Sequence, residues 1–332
     1  MRDDLPSLFD TAAVDALHRL EIAATESTLI HMSENVTFRI SEAVTGRCYA
    51  LRLHRPDYQS LATLKSERSW IRALAAGGFN VPAPVTNGLG EDLVCVSVPA
   101  LGEHRWASAN SWIEGTILGA LLAEMGSSER AIPHFVDLGG LLAAMHNQSS
   151  AWTRPSDFVR HRLDAEGLMG PKPIWGEFWR YRLLSRAESD LLLRVRERIH
   201  AVLHRYGEDP STFGLIHADL HPGNIIVQRG RLALIDFDDA AFGWHAFDIA
   251  VALVRYLGHP SFEAFFQACL SGYRSVREIS DRDVRMIPMF LLARSMNQLG
   301  WFHLRPDIPE PEWLGGLKAW VCDQAAAFQE PL

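Results

Sequence analysis

Apolar residues Leu8, Phe9, Ala12, Val14, Leu17, Leu20 and Ile22 fall close to helical spacing, so residues 8–22 read as a short amphipathic helix. From Ser27 the period drops to two. Thr28–His31, Val36–Ile40 and Cys48–Leu53 are rich in β-branched and aromatic residues, with Ser33-Glu34-Asn35 and Thr45-Gly46 as turns, which predicts an antiparallel meander. Arg55-Pro56-Asp57 breaks that pattern. Residues 59–76 then read as a helix closed by Gly77-Gly78, with Glu67 in its middle. Asp92–Pro99 and His104–Ile113 have strand composition again, giving a first region of five strands and one intervening helix.

Beyond Gly115 the spacing turns helical. Ile132–Ser149 carries Phe135, Leu138, Leu141, Leu142 and Met145 on one face, and His146 near its end reads as a capping or core histidine. Residues 151–182 place Trp152, Phe158, Trp175, Phe178 and Trp179 among Pro and Gly without a period; a segment of that length is expected to be functional or a lid. Ser185–Tyr206 is helical with a charged outer face. Phe213–His217 reads as a buried strand running into the loop Ala218–Gly223. Asn224 then opens a hairpin, Ile225–Gln228, Arg229-Gly230, Leu232–Asp236, whose geometry returns Asp236 to the end where Asn224 began. Asp248 is expected to cap an apolar helix starting at Ile249. The remainder is helical, with Pro306–Pro311 separating the last two helices.

At 332 residues and 48% hydrophobic, the chain has length for about two domains and ample material for a core. A net charge of -8 argues against non-specific binding to nucleic acid or an anionic membrane. Cys48, Cys95, Cys269 and Cys322 lie far apart and read as buried thiols in a reducing cytoplasm, with no disulfide framework or zinc site. The first ten residues lack an apolar h-region, and the best apolar run, Phe247–Leu257, is broken by Asp248 and Arg255. A cytoplasmic protein is expected.

The densest chemistry lies in His217, Asp219, His221 and Asn224, followed by Asp236 and Asp238. Phosphoryl transfer needs hard oxygen ligands for magnesium, a group that orients the acceptor oxygen, and cations over the phosphates. Asp219 suits the acceptor proton, Asn224 and Asp236 the metal, and Arg52 the phosphate charge. A transition-metal site on His217, Asp219 and His221 leaves Pro-Gly-Asn and the distant acids unexplained, and a serine hydrolase would need a GxSxG elbow that is missing here. Ser33 and Asn35 sit in a loop without GxGxxG, so phosphate contact and plain turn chemistry both stay open. Arg52 and the helical Glu67 form a potential strand–helix ion pair.

HADLHPGN followed by LIDFDDA resembles the catalytic and metal motifs of the aminoglycoside phosphotransferase and choline kinase family, a branch of the protein-kinase-like fold. The resemblance runs from Asn35 through YALR, Glu67 and WIEG to the site. It implies Asp219 as catalytic base, Asn224 and Asp236 as magnesium ligands, Ser111, Trp112 and Ile113 as the hinge beside adenine, His221 near the γ-phosphate, and Asp248 as a brace for the catalytic loop. Arg52 stands where the family has Lys, and the two are not interchangeable. The segment DFVRHRLDAEGLMGPKPIWGEFW is also similar to the bacterial stress-response kinase and type II homoserine kinase subgroup. Residues 154–182 hold six Lys or Arg against four Asp or Glu, which disfavours a polycationic acceptor.

The expected molecule is therefore α+β and protein-kinase-like, with an antiparallel β-sheet nucleotide lobe at residues 1–113 and a mainly helical catalytic and acceptor lobe at 114–332. It uses ATP and Mg2+ to phosphorylate a small-molecule hydroxyl: an amino-alcohol, a sugar or an aminoglycoside-like compound. A Ser/Thr protein substrate and a catalytically silent ATP-binding regulator are the alternatives. No nucleic-acid or membrane partner is expected, and oligomeric state is left open.

Overall fold

The computed structural model describes residues 6–32 and 35–332, so Ser33 lies outside the described residues. The chain gathers into two compact units. One comprises Met1–Gly115, Arg154–Val159 and Gln228–Asp238; the other comprises Thr116–Thr153, Arg160–Val227 and Asp239–Leu332.

In the first unit, α1 (Asp10–Arg19) precedes β1 (Glu26–Met32), β2 (Val36–Ser41) and β3 (Cys48–Leu53), then come α2 (Leu61–Ala76), β4 (Val94–Val98) and β5 (Glu103–Ser111). The five strands form one antiparallel sheet in the order β1-β2-β3-β5-β4. Alternation fixes which face is dry: Val36, Phe38 and Ile40 of β2 and Val94, Val96 and Val98 of β4 are buried, and α1 covers them with Ala12, Ala13, Ala16 and Leu17. α2 starts where Ser60 accepts the Thr63 N–H at 3.2 Å, and its buried Trp70 meets Phe237 edge-on at 5.5 Å.

The second unit contains β6 (Thr116–Ile117), α3 (Leu118–Glu124), α4 (Ser128–Ala151), β7 (Arg162–Leu163), α5 (Ala165–Met169), α6 (Arg186–Tyr206), β8 (Phe213–Ile216) and β9 (Ile225–Gln228). The chain turns through Arg229 and Gly230, both at positive φ, into β10 (Arg231–Leu234) of the first unit. It continues with β11 (Ala241–Trp244), α7 (His245–Leu253), α8 (Phe262–Arg274), α9 (Asp281–His303) and α10 (Trp313–Ala326). β11 pairs antiparallel with β8 and parallel with β7. α4 and α8 cross so closely that a Cβ on Gly139 would lie 1.9 Å from the Cys269 carbonyl, and one on Gly272 equally near that of Val136. No helix among the described residues is long and apolar enough to cross a membrane.

Three local expectations need correction. Asp248 does not cap a helix: α7 already begins at His245, and the carboxylate in its first turn is fully buried. Residues 151–182 form no loose lid, because Trp175, Phe178, Trp179 and Tyr181 are buried beside short elements such as α5. Of the four cysteines, only Cys269 is fully buried, its thiol pushed up to about 12 by desolvation; Cys95 alternates outward on β4 and is exposed.

Candidate active site

In the second unit, β8 delivers the chain into the loop at His217. Ala218 takes φ 65°, a region that L-residues seldom occupy. What holds it there is Asp248, whose two carboxylate oxygens accept the His217 N–H at 3.1 Å and the Ala218 N–H at 2.8 Å. Asp248 in turn contacts His146 Nε2 at 3.1 Å, while His146 Nδ1 meets the Tyr273 hydroxyl at 2.9 Å. His146 is thus a core histidine, its pKa lowered by burial against the opposing pull of Asp248. Two successive backbone donors gripped by one buried carboxylate aim the next residue, Asp219.

Asn224 Nδ2 donates to the Asp219 carbonyl and to Asp219 Oδ2, both at 2.9 Å. A carboxylate only accepts, so the amide nitrogen must face it, leaving the Asn224 carbonyl oxygen turned away as a hard donor. The other carboxylate oxygen of Asp219 accepts from Arg294 Nη2 of α9 at 2.7 Å. Arg294 is itself buried, with its guanidinium 4.7 Å above the Trp175 ring. His221 Nδ1 accepts the Gly223 N–H at 2.9 Å, which places the proton of the neutral ring on Nε2. That nitrogen lies 3.6 Å from Asp219 Oδ2 and 3.0 Å from Arg255 Nη2.

In the first unit, Asp236 also has positive φ, 64°, and accepts from Arg52 Nη2 at 3.0 Å. Burial alone would lower the Arg52 pKa, but the carboxylates of Asp236, Asp238 and Glu67 outweigh it and the pKa rises. The buried Glu67 acts on Arg52 through this field. Asn35 bridges locally, its Nδ2 donating to Asp238 at 2.8 Å and its Oδ1 accepting the Arg55 N–H at 2.9 Å. Gln59 Nε2 adds a bond to the Asp238 carbonyl at 3.0 Å. Ser111 ends β5, with its N–H on the Ala83 carbonyl and its hydroxyl accepting the Ala83 N–H, each at 2.8 Å. Trp112 N–H bonds the Cys48 carbonyl at 2.9 Å under the Arg39 guanidinium, and Ile113 is buried.

The expected residues therefore fall into two local groups. Asp219, His221 and Asn224 are brought together in the second unit; Arg52, Asp236, Asn35 and Glu67 belong to the first, as do the strand-end residues Ser111, Trp112 and Ile113. Sequence reasoning missed Arg255 and Arg294, which reach the loop from far downstream. The available signal was an arginine inside an otherwise apolar helical run, since arginine is seldom buried without a partner.

The oxygen donors of Asn224 and Asp236 suit a hard cation such as magnesium. On this geometry the loop is equipped to orient a hydroxyl and receive its proton.

Residues 28–284 match the model of the phosphotransferase enzyme family. The chain is 25% identical over 286 residues to an amicoumacin kinase of Bacillus subtilis (strain 168), covering 81% of this chain and 80% of that protein. It is 32% identical over 274 residues to a homoserine kinase of Sinorhizobium fredii (strain NBRC 101917 / NGR234), covering 77% and 74%. A solved microcompartment-associated aminopropanol kinase superposes with a TM-score of 0.79 at 27% identity, covering 94% of this chain and 96% of that one. The chain belongs to the phosphotransferase enzyme family.

Proposed function

We propose that this chain transfers the γ-phosphoryl group of MgATP to a hydroxyl of a small molecule, with Asp219 as the base. The observation that carries this reading is the double bond-set on Asp219: Arg294 holds one carboxylate oxygen and Asn224 the other. A carboxylate fixed in this way has its orientation settled before substrate arrives, as a positioned base requires. The acceptor O–H donates to Asp219; the acceptor oxygen bonds to the γ-phosphorus as the bond to the β,γ-bridging oxygen breaks. Asp219 takes the proton and ADP leaves.

Asn224 and Asp236 are the residues that would hold magnesium, which would supply charge neutralisation for the phosphates. Arg52 serves the phosphates with a second, permanent charge. Asn35 would face the phosphates, Glu67 would support Arg52, and Ser111, Trp112 and Ile113 would border adenine. His221 turns its Nε2–H toward the transferred group. The kinases named above act on amicoumacin, homoserine and aminopropanol by their names, and a small-molecule acceptor is the reading taken for this chain.

The test is an acceptor screen with labelled ATP, run with and without magnesium, over amino-alcohols, hydroxy acids, sugars, aminoglycosides and a generic protein. Magnesium-dependent label on a small molecule is expected. Label confined to the protein would favour a protein kinase, and ATP binding with no transfer to any acceptor would favour a silent regulator.

A further inference from the structure

Away from the candidate active site, three side chains of the second unit converge. His200 and His204 sit four residues apart on α6, so both rings leave the same face of the helix about one turn apart. Opposite them is Glu166 of α5, whose Oε1 lies 2.7 Å from His200 Nε2 and 3.6 Å from His204 Nε2. The two imidazoles meet edge-on with centroids 4.5 Å apart. One ligand atom from each of the three residues lies within 4.8 Å of the others.

The carboxylate is placed by its own turn of chain. Asp164 starts α5 by accepting the Gly167 N–H at 2.9 Å, and Gly170 beyond the helix leaves room for the Glu166 side chain, because a Cβ there would lie 2.5 Å from Oε2. With Oε2 against Gly170, Oε1 is the oxygen presented to the histidines. Arg196, four residues before His200, is engaged elsewhere: its guanidinium bonds the Met169 carbonyl at 2.9 Å and lies over the Trp179 ring. A plain ion pair needs only one histidine on one carboxylate. Two imidazoles and one carboxylate converging on a point match a two-histidine, one-glutamate zinc ligand set, and the exposure of Glu166 and His204 leaves the remaining position to water. Tetrahedral ligands at 2.0–2.1 Å from an ion stand about 3.3 Å apart, so His200 and Glu166 need to part by only about half an ångström. Imidazole nitrogen suits zinc and its neighbours, whereas magnesium and calcium take oxygen ligands.

We propose that Glu166, His200 and His204 form a binding site for a zinc-type transition-metal ion that fastens α5 to α6. The ion takes the Nε2 lone pair of each imidazole, whose ring proton then resides on Nδ1, together with Oε1 of Glu166. An ion bound in this way favours the folded chain over the unfolded one. The site is independent of the phosphotransfer reading.

The test titrates Zn2+ into the metal-free full chain by isothermal calorimetry, with Mg2+ in large excess to occupy oxygen-only sites. One equivalent should bind with a Kd of roughly 1–10 µM, weaker than a closed four-ligand site because a position is left to water. His204→Ala and Glu166→Gln, both at exposed side chains, should each weaken binding by about 100-fold, at least the loss that removal of a merely supporting group brings. His104→Ala, at an exposed histidine of β5, should leave it within about twofold, as expected of a distant site. Zinc should also raise the thermal midpoint of the wild type and of His104→Ala but not of the other two variants, whose metal-free circular dichroism should match the wild type. Absence of zinc binding under excess Mg2+ overturns the proposal. So does a zinc affinity kept by both His204→Ala and Glu166→Gln, which would put the ion elsewhere, or an equal loss in His104→Ala, which would leave it no fixed place.

Discussion

The two local groups of functional residues are held in opposite ways. Asp219 in the second unit rests on a scaffold of buried groups: Asp248 and His146 are fully inaccessible, and Arg294 nearly so. Asp236 in the first unit is more open, its side chain 40% exposed and paired with Arg52 at 3.0 Å. Rigid support suits the base role proposed for Asp219, and charge with access suits the metal role proposed for Asp236. The difference teaches that mutations near Asp219 should cost stability along with turnover, whereas those near Asp236 should cost turnover alone.

The sharpest break of that contrast is Asp236→Asn. Turnover should fall by on the order of 100- to 1,000-fold as one carboxylate leaves the proposed metal set, with the urea midpoint little changed. A matching loss of stability, read by the same urea curves, would erase the distinction between the groups. Asp248→Asn probes the other side: one carbonyl cannot serve both the His217 and Ala218 N–H groups, so stability should drop by roughly 1.5–3 kcal/mol, with turnover falling as Ala218 leaves its left-handed conformation. Arg52→Met should raise the KM for ATP by about tenfold, in line with loss of one charge-assisted contact, and leave the acceptor KM unmoved in steady-state assays.

A pH dependence of folding follows from the buried histidines. Burial lowers the pKa of His146 and His54 and pushes His245, stacked 4.4 Å from His146, down to about 2. The unfolded chain takes these protons near pH 6.5 and the folded chain resists them. The stabilisation is therefore complete above about pH 6.5 and declines as pH falls below it, by about 1.4 kcal/mol per pH unit for each such histidine. Urea midpoints at pH 7.5 and 5.5 check this, and His245→Gln should flatten the slope.

Much of this was legible in sequence. Period-two runs predicted β1, β2 and β3, strand composition predicted β4 and β5, and HADLHPGN placed Asp219 within one turn of Asn224 because a tight loop leaves little freedom. What stayed hidden is long-range. Arg255 was noticed only as an interruption of an apolar run, and Arg294 was not singled out. An arginine inside an apolar helical run signals burial, but nothing local names the carboxylate it reaches, here 75 residues earlier. The cap reading of Asp248 failed for the same reason, while the brace implied by the resemblance matches its bonds to the His217 and Ala218 N–H groups. A helix-start aspartate is a good local cap, but here β11 brings the helix in early and sends the side chain into the core. The aromatic points of residues 151–182 looked like a lid because they lack a period; Trp175 meets Phe247 of α7 and Arg294 of α9, and Trp179 meets Arg196 of α6.

The most direct test of the central claim is Asp219→Asn, assayed for MgATP binding by thermal shift and for phosphoryl transfer with the best acceptor. Binding is expected to persist while kcat falls by roughly 100- to 10,000-fold, the contribution of a positioned base. Turnover within a few-fold of wild type would contradict the account.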